Sequence, residues 1–307
     1  LWTTFDVNDP ALLYIVITDF NGWTQTRECL LRLYRSSYKD IVVVVVDHGL
    51  TDETAQGLDD FSDCIRLSAG PEIWWSGATN QGIQFSLDRG AEQIMLLNND
   101  CFVNEDTIAK LIRHSDALPG TVIAPRQYNA HNGQPVAANV ATCFSLGFTT
   151  IQLPSFMGSK NLGENLLSTA IIVGGRGVIL PARVFELVGL FDELDLPHYG
   201  ADHDFYLRCT ANDVPLAIAT DASVSIDQTK TTLSRNLGQM SLREYVNSFS
   251  DPRSHRNLPV LKTLFKRYFP LPELYLFGVF LNVVRYTLIY ILRRGVYLLR
   301  RAVWRTS

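Results

Sequence analysis

Asp40 to Asp47 reads DIVVVVVD, six consecutive β-branched residues between two carboxylates. A strand that faces water on one side alternates apolar and polar residues. This one is apolar at every position, so it belongs inside a sheet covered on both faces. Its neighbours repeat the theme. LLYIVIT (Leu12 to Thr18) precedes a helical TQTRECLLRLYRSS. After the Val run come a helix near Thr51 to Phe61, a short CIRLSA, a helix over Thr79 to Arg89, and QIMLLNND. Strand, helix, strand, helix with continuous Val/Ile/Leu strands predicts an α/β fold with a mostly parallel sheet and helices on both faces.

Such sheets bind ligands outside the carboxyl ends of their strands. The polar residues sit at those ends: TDFNG follows the first strand, DHGLTD the second and NND the fourth. Asp19, Asn21, Asp47 and Asp100 are therefore expected on one rim. From Tyr128 to Asn165 the pattern is loop-like. A strand near TAIIVGGRGVILP, a helix ARVFELVG, a helix around DHDFYLRCTAND and a strand pair, LAIA and SVSI, are expected to close the domain near Lys230.

Charge divides the chain unevenly. Val260 to Ser307 holds nine Lys/Arg against Glu273 alone, a net +8, whereas the whole chain of 307 residues is −4 and residues 1–259 therefore carry −12. An acidic body with a basic, apolar tail argues against nucleic acid as a partner and for a domain held at an anionic membrane surface. The five cysteines are far apart and lack C-x-x-C spacing, which suggests neither a disulfide framework nor a zinc site and fits a reducing compartment. The opening LWTTFDVNDP has no basic segment followed by an apolar one, so no secretory signal is expected there.

Each candidate motif has a plainer reading beside it. Asp47, Gly49, Thr51 and Asp52 could form an ordinary helix start, or Asp47 could accept the ring N–H of a uracil or thymine. Trp74 and Trp75 in EIWWSGATNQGI pack a core or shape a ligand pocket, and Gly77 and Asn80 behind them would let backbone and an amide approach a bound group. Asn98, Asn99 and Asp100 form a turn, or Asp100 supplies the one carboxylate that Mg²⁺ needs when a diphosphate provides the remaining oxygens. In PHYGADHDFYLRC, Asp202 and Asp204 begin an amphipathic helix with Arg208 one turn on, one acid complementing the helix dipole and one free to work.

Taken in order, these segments resemble the family 2 glycosyltransferases with the GT-A fold, over roughly Leu12 to Lys230. YIVITDFNG is similar to the family's first strand and T-Y-N turn, VVVVVDHGLTD to V-V-D-N-G-S-T-D, and MLLNND to the L-N-N-D form of its D-x-D metal motif. GGRGVILPARVFELVGLFDE resembles the acceptor-side segment ending in G-x-F-D-E, and YGADHDFYLRC resembles Y-G-E-D-x-D-x-x-x-R. Ala201 stands where the family has Glu, and His48 and Leu50 where it has Asn and Ser. After the last strand Ile226 and Asp227 stand where a histidine is often found.

The resemblance implies a role for each matching residue. Asp202 is the general base, Asp100 holds Mg²⁺ or Mn²⁺ on the donor diphosphate, and Thr18, Asp19, Asn21, Asp47, Gly77, Asn80 and Asn99 bind a UDP- or dTDP-linked sugar. Trp74, Trp75, Gly175, Asp204 and Arg208 belong to the sugar or acceptor pocket. The implied reaction is one-step, inverting transfer to a hydroxyl of a glycan or lipid-linked saccharide. The Trp-Trp-x-Gly loop resembles that of bacterial enzymes of O-antigen and other surface polysaccharides, rhamnosyltransferases among them. Competing classes are a nucleotidyltransferase, a non-catalytic nucleotide-sugar-binding module and a dinucleotide-binding oxidoreductase, the last without G-x-G-x-x-G after the first strand. The expected organisation is a catalytic domain over 1–235, a helical linker over 236–271 and basic amphipathic helices over 272–307. In this tail Asn282 and Arg285 interrupt the apolar run, which favours a helix lying in the headgroup plane at the cytoplasmic face over one that spans. The alternative is packing on the catalytic domain or on a second copy of the chain.

Overall fold

A computed structural model of the chain describes residues 12–136, 140–152, 159–229 and 237–303, without the side chains of 302 and 303. The described residues group into two compact units. The first comprises those of Leu1–Val140, Gln152–Pro197 and Ala201–Asp227, and the second those of Ala141–Ile151, His198–Gly200 and Gln228–Ser307.

In chain order the elements are β1 (Leu13–Asp19), α1 (Trp23–Tyr34), β2 (Ile41–Asp47), α2 (Glu53–Leu58), β3 (Cys64–Ser68), α3 (Trp74–Leu87), β4 (Gln93–Leu97), β5 (Cys101–Val103), α4 (Thr107–Ala117) and β6 (Val122–Asn129). There follow β7 (Val140–Cys143) and β8 (Phe148–Gln152), a separate two-stranded sheet, then β9 (Asn161–Gly163), β10 (Leu166–Ser168), β11 (Arg176–Pro181), α5 (Ala182–Val188), α6 (Ala201–Ala211) and β12 (Leu216–Ile226). Last come α7 (Leu242–Asn247), α8 (Leu258–Tyr268) and α9 (Tyr275–Val303).

The main sheet of the first unit runs β3-β2-β1-β4-β11-β6-β12-β10-β9, with β5 paired to β12. β3, β2, β1 and β4 are mutually parallel, β11 runs against them, and β6 and β12 resume their direction. The expected mostly parallel sheet is thus present, with β11 as an antiparallel insertion. All seven residues of β1 are buried, and β2 is buried from Val42 to Asp47. Helix α3 comes so close to the sheet at Gly82 that a Cβ there would lie 2.3 Å from a Val16 methyl. Two expectations change in detail. LAIA and SVSI form one continuous strand, β12, with a register shift against β6 between Ala219 and Ser223. The strand expected from TAIIVGGRGVILP begins only at Arg176, after a left-handed turn at Gly174 (φ +74°).

In the second unit α7 opens with a reciprocal cap between Ser241 and Glu244, and α8 with the Asn257 side chain accepting from Val260 N at 3.1 Å. One face of α9 packs within the unit. Gly278 faces the Phe265 and Phe269 rings, the buried Asn282 donates to Gly147 O at 2.8 Å, and Tyr290 stacks on Tyr245 at 4.2 Å. The Arg285 guanidinium lies over the Phe148 and Tyr286 rings at 4.3 and 4.5 Å. The two polar residues inside the apolar run are therefore held by protein.

Candidate active site

The strand ends of the parallel half meet as the sequence predicts. β1 and β2 end in register, Asp19 beside Asp47 and Thr18 beside Val46. Asp19 is fully buried and spent on the scaffold: its carboxylate accepts from Gly22 N at 2.7 Å, from the Thr54 hydroxyl and from Asn99 Nδ2 at 3.2 Å. Burial raises its pKa and the Asp47 charge adds to this, while the bonds from Thr54 and Gly22 oppose them. Gly22 has no room for a side chain, since a Cβ would stand 2.4 Å from Asn99 Nδ2. Asn99 also donates to Thr26 Oγ1 at 3.0 Å, which ties the turn after β4 to α1. Asn21, at φ +52°, clamps the second turn by accepting from Leu50 N at 2.7 Å and Thr51 N at 3.2 Å.

Asp47 has a partner that the sequence did not reveal. Arg66 of β3 reaches its Oδ2 with Nε at 3.0 Å and Nη2 at 2.8 Å. Only 4% of the Asp47 side chain is exposed, so the guanidinium supplies the compensation a buried carboxylate requires. Beside it Phe20 is 50% exposed, with its ring 5.3 Å from that of His48. The signals were an arginine inside a short parallel strand and an aromatic in the first strand-end turn.

At β4 the chain crosses to the other half of the site. Asn98 N donates to Gly175 O at 2.7 Å, and its side-chain oxygen accepts from Trp75 Nε1 at 3.3 Å. The preceding residue, Gly174, donates its N–H to Asp202 Oδ2 at 2.8 Å and accepts from the Tyr206 hydroxyl at 3.1 Å. Two adjacent glycines thus join the start of α6 to the end of β4. Gly175 has close neighbours, with Leu96 Cβ and the Trp75 ring each 3.3 Å from where a Cβ would be.

Asp202 is held ionised. Burial acts to raise its pKa, but the His203 ring and the N–H groups of Gly174 and His203 outweigh it and bring the pKa down to about 2. His203 Nδ1 is 3.9 Å from Oδ1, beyond direct hydrogen-bond length. Asp204 is different. It is fully buried and paired with Arg208 Nε at 2.8 Å, and Arg208 also donates to the carbonyls of Val188 and Leu190. That pair ties α6 to the end of α5. Asn80 is likewise engaged, donating to Phe191 O and Glu193 and accepting from Phe191 N at 3.0 Å. Gly77 is buried in the same region, with Ile73 Cβ 2.9 Å from a would-be side chain. In this structure Asn80, Asp204 and Arg208, expected at the donor or acceptor pocket, make hydrogen bonds that hold α3, α5 and α6 together. Trp74 has φ +51° at the start of α3, and Trp75 packs edge-on against Phe191.

Asp100 follows the β4 end half-buried. Burial raises its pKa, Arg176 and the Cys101 thiol pull it down, and the charge of Asp227 pushes it up again. Its backbone oxygen accepts from Asp227 N at 2.8 Å. The Asp227 carboxylate is met by Gln25 Nε2 at 2.9 Å and His131 Nε2 at 3.0 Å. No group of three or more His, Cys, Asp or Glu gathers as a metal cage among the described residues. Two neighbouring carboxylates whose charges work against each other still suit a hard cation that takes its other oxygens from a diphosphate.

Residues 14–159 match the family model described as Glycosyl transferase family 2. The chain is 26% identical over 188 residues to the low-salt glycan biosynthesis hexosyltransferase Agl10 of Haloferax volcanii, covering 61% of this chain and 58% of that protein. It is 23% identical over 211 residues to the dTDP-rhamnosyl transferase RfbF of Shigella flexneri, covering 68% of this chain and 67% of the relative. Its fold resembles GalNAc-T7 crystallised with UDP, GalNAc and Mn²⁺, at TM-score 0.61, 13% identity, 88% of this chain and 55% of that one. It also resembles S. aureus TarS 1-349, at TM-score 0.55, 13% identity, 92% of this chain and 91% of that one. At such identities the likeness to the solved structures is one of fold, a GT-A-like α/β sheet.

Proposed function

We propose that the chain transfers a sugar from a UDP- or dTDP-linked donor, with inversion, to a hydroxyl of a glycan or lipid-linked saccharide during surface polysaccharide synthesis. The observation that carries this reading is the Gly174–Gly175 bridge, which brings the ionised Asp202 to the strand end bearing Asp100. An alcohol is a poor nucleophile at neutral pH, and a carboxylate within reach takes its proton as the bond to the anomeric carbon forms. Asp202 has that role, with Gly174 N fixing Oδ2. Asp100, with Asp227 close by, would hold Mg²⁺ or Mn²⁺, which would supply positive charge to the diphosphate of the donor. Asp47, fixed by Arg66, reads the pyrimidine, and Phe20 lies beside it as a stacking surface. Trp75, tied to Asn98, forms the sugar side.

The rhamnosyl and hexosyl transferase names of the relatives support the donor class. The basic tail supports a peripheral position at the cytoplasmic face of the membrane, where a lipid-linked acceptor would be met. A screen of nucleotide sugars for thermal stabilisation and metal-dependent hydrolysis tests the reading. Release of a nucleoside diphosphate is the expected product, whereas release of pyrophosphate would make the chain a nucleotidyltransferase. Binding of a nucleotide sugar without turnover on any acceptor would make it a binding module.

A further inference from the structure

We infer that His255, Arg256 and Arg285 form an oxyanion site in the second unit, which takes a phosphate group, free or esterified, through N–H donors that no acidic residue occupies. None of the three lies in the stretch 14–159 that matches the family model, and the site needs neither sugar donor nor metal. The three side chains gather round one ring. The Arg285 guanidinium is 4.5 Å from the centroid of Tyr286, that of Arg256 is 5.9 Å away, and the His255 ring is 5.5 Å away. Arg285 and Tyr286 come from α9, and His255 and Arg256 from the turn before α8.

Two positive charges are thus brought together without an acid. Arg256 is only 8% exposed, and its partners are all neutral: Ser248 Oγ at 2.9 Å, His255 Nε2 at 3.2 Å and Met240 Sδ at 3.7 Å. Arg285 has no hydrogen bond or ion pair among the described residues, and its Nε is buried without a partner. What it does have is aromatic rings, those of Phe148 and Tyr286. Rings occupy the faces of a guanidinium, whereas its five N–H groups point outward in its plane and still call for acceptors. Asp251, the acid closest in sequence to Arg256, is engaged by Arg253 at 3.2 Å.

His255 completes the donor set. A guanidinium only donates, so His255 Nε2 accepts from Arg256 and the ring carries its proton on Nδ1 as a further donor. Burial and the charges of Arg256 and Arg285 hold its pKa down to about 4, so the ring is neutral and adds no third charge. Two cations and an imidazole N–H match a group with two negative charges and several acceptor oxygens. A phosphate ester or a hydrogen phosphate ion is such a group, whereas a carboxylate carries one charge and a sugar hydroxyl none. Like charges withdrawn from water are costly by themselves, and a dianion between them removes that cost.

Calorimetry of the intact chain in EDTA, without nucleotide, tests this with inorganic phosphate and with geranyl phosphate, a short soluble ester. Phosphate should bind, and acetate at least about tenfold more weakly. Geranyl phosphate binding at least about tenfold more tightly than phosphate would assign the site to an ester, and equal affinities would assign it to the free ion. Arg285→Gln should weaken phosphate binding at least about tenfold, and Arg285→Lys should recover most of the loss. His255→Phe keeps a ring beside Tyr286, removes the Nδ1 donor and should cost about three- to tenfold, which provides a test even if Arg285→Gln does not fold. Absence of phosphate and ester binding, or binding unchanged in the folded variants, would overturn the inference. So would displacement of phosphate by added UDP, which would place the anion at the donor site. Because donor and metal are left out, a negative result leaves the proposed reaction standing, and a failed transfer assay leaves this site standing.

Discussion

Asp202→Asn changes one atom and separates two roles of the residue. The asparagine oxygen can still accept from Gly174 N, now at 2.8 Å, so the bridge to Asn98 and the β4 end is retained. What is lost is the negative charge and the capacity to take a proton. The charge has a stability value that follows from its pKa. Lowering the carboxyl from its ordinary 3.8 to about 2 corresponds to about 2 kcal/mol of preference for the ionised folded state. A depressed pKa gives stability that is present above the unfolded value near 3.8 and is lost as pH falls through about 2. At pH 7 the variant therefore lacks it, and a unit of this size should melt roughly 4–8 °C lower at most. Turnover should fall at least about a hundredfold, the usual scale for a positioned base, with nucleoside diphosphate binding by calorimetry unchanged within a few-fold. Since Asp202 is already ionised, it should add no acid limb to kcat/KM between pH 5 and 8. Turnover within a few-fold of the parent, or a limb near pH 6 that vanishes in the variant, would refute the assignment.

Asp100→Ala should abolish metal-dependent donor turnover, with Asp100→Asn nearly as damaging, and full activity with undiminished EDTA sensitivity would contradict the metal role. Asp47→Ala should weaken binding of the free nucleoside diphosphate about tenfold, one charge-assisted hydrogen bond, and Arg66→Met should reproduce part of that loss in the same calorimetry. Asp204→Asn breaks a buried ion pair, so it should act through folding, costing about 3–5 kcal/mol in denaturant midpoints while surviving folded protein retains donor binding.

The parallel half of the sheet was legible because its signal is local. β1, β2 and β4 are apolar runs ending in polar turns, and burial on both faces follows from the absence of alternation. The antiparallel β11 was not legible in the same way. Its place between β4 and β6 is set by pairing with residues 56 to 88 positions away. The segment from Tyr128 to Asn165 read as loop because β7, β8 and β9 are three to five residues long, too short for a period to register. Part of that segment, 137–139 and 153–158, lies outside the described residues, as do the residues following Thr229 up to 236. At the site, motif order pointed to Asp47, Asp100 and Asp202 as candidates. Chemistry alone could not tell a ligand-binding Asn80 or Arg208 from one whose hydrogen bonds close a turn, since each carries the same donors in either role.

The rim holds several carboxylates, and how each is compensated distinguishes them. Asp19 accepts two strong hydrogen bonds and a third from Asn99. Asp47 has the fork of Arg66, and Asp202 has a backbone N–H and the charge of His203. Asp227 is met by an amide and an imidazole. Asp100 is met by a thiol, a weak donor, and by the charge of Arg176, while burial and Asp227 work against its ionised form. A carboxylate left with the weakest donors in a crowded anionic corner gains most from a divalent cation and least from further protein contacts. If the family's usual histidine stood in place of Asp227, that corner would carry one negative charge fewer. With aspartate there, the site should rely more on the cation to bring the donor diphosphate close, so free nucleoside diphosphate should bind more weakly after metal removal than after Asp47→Ala.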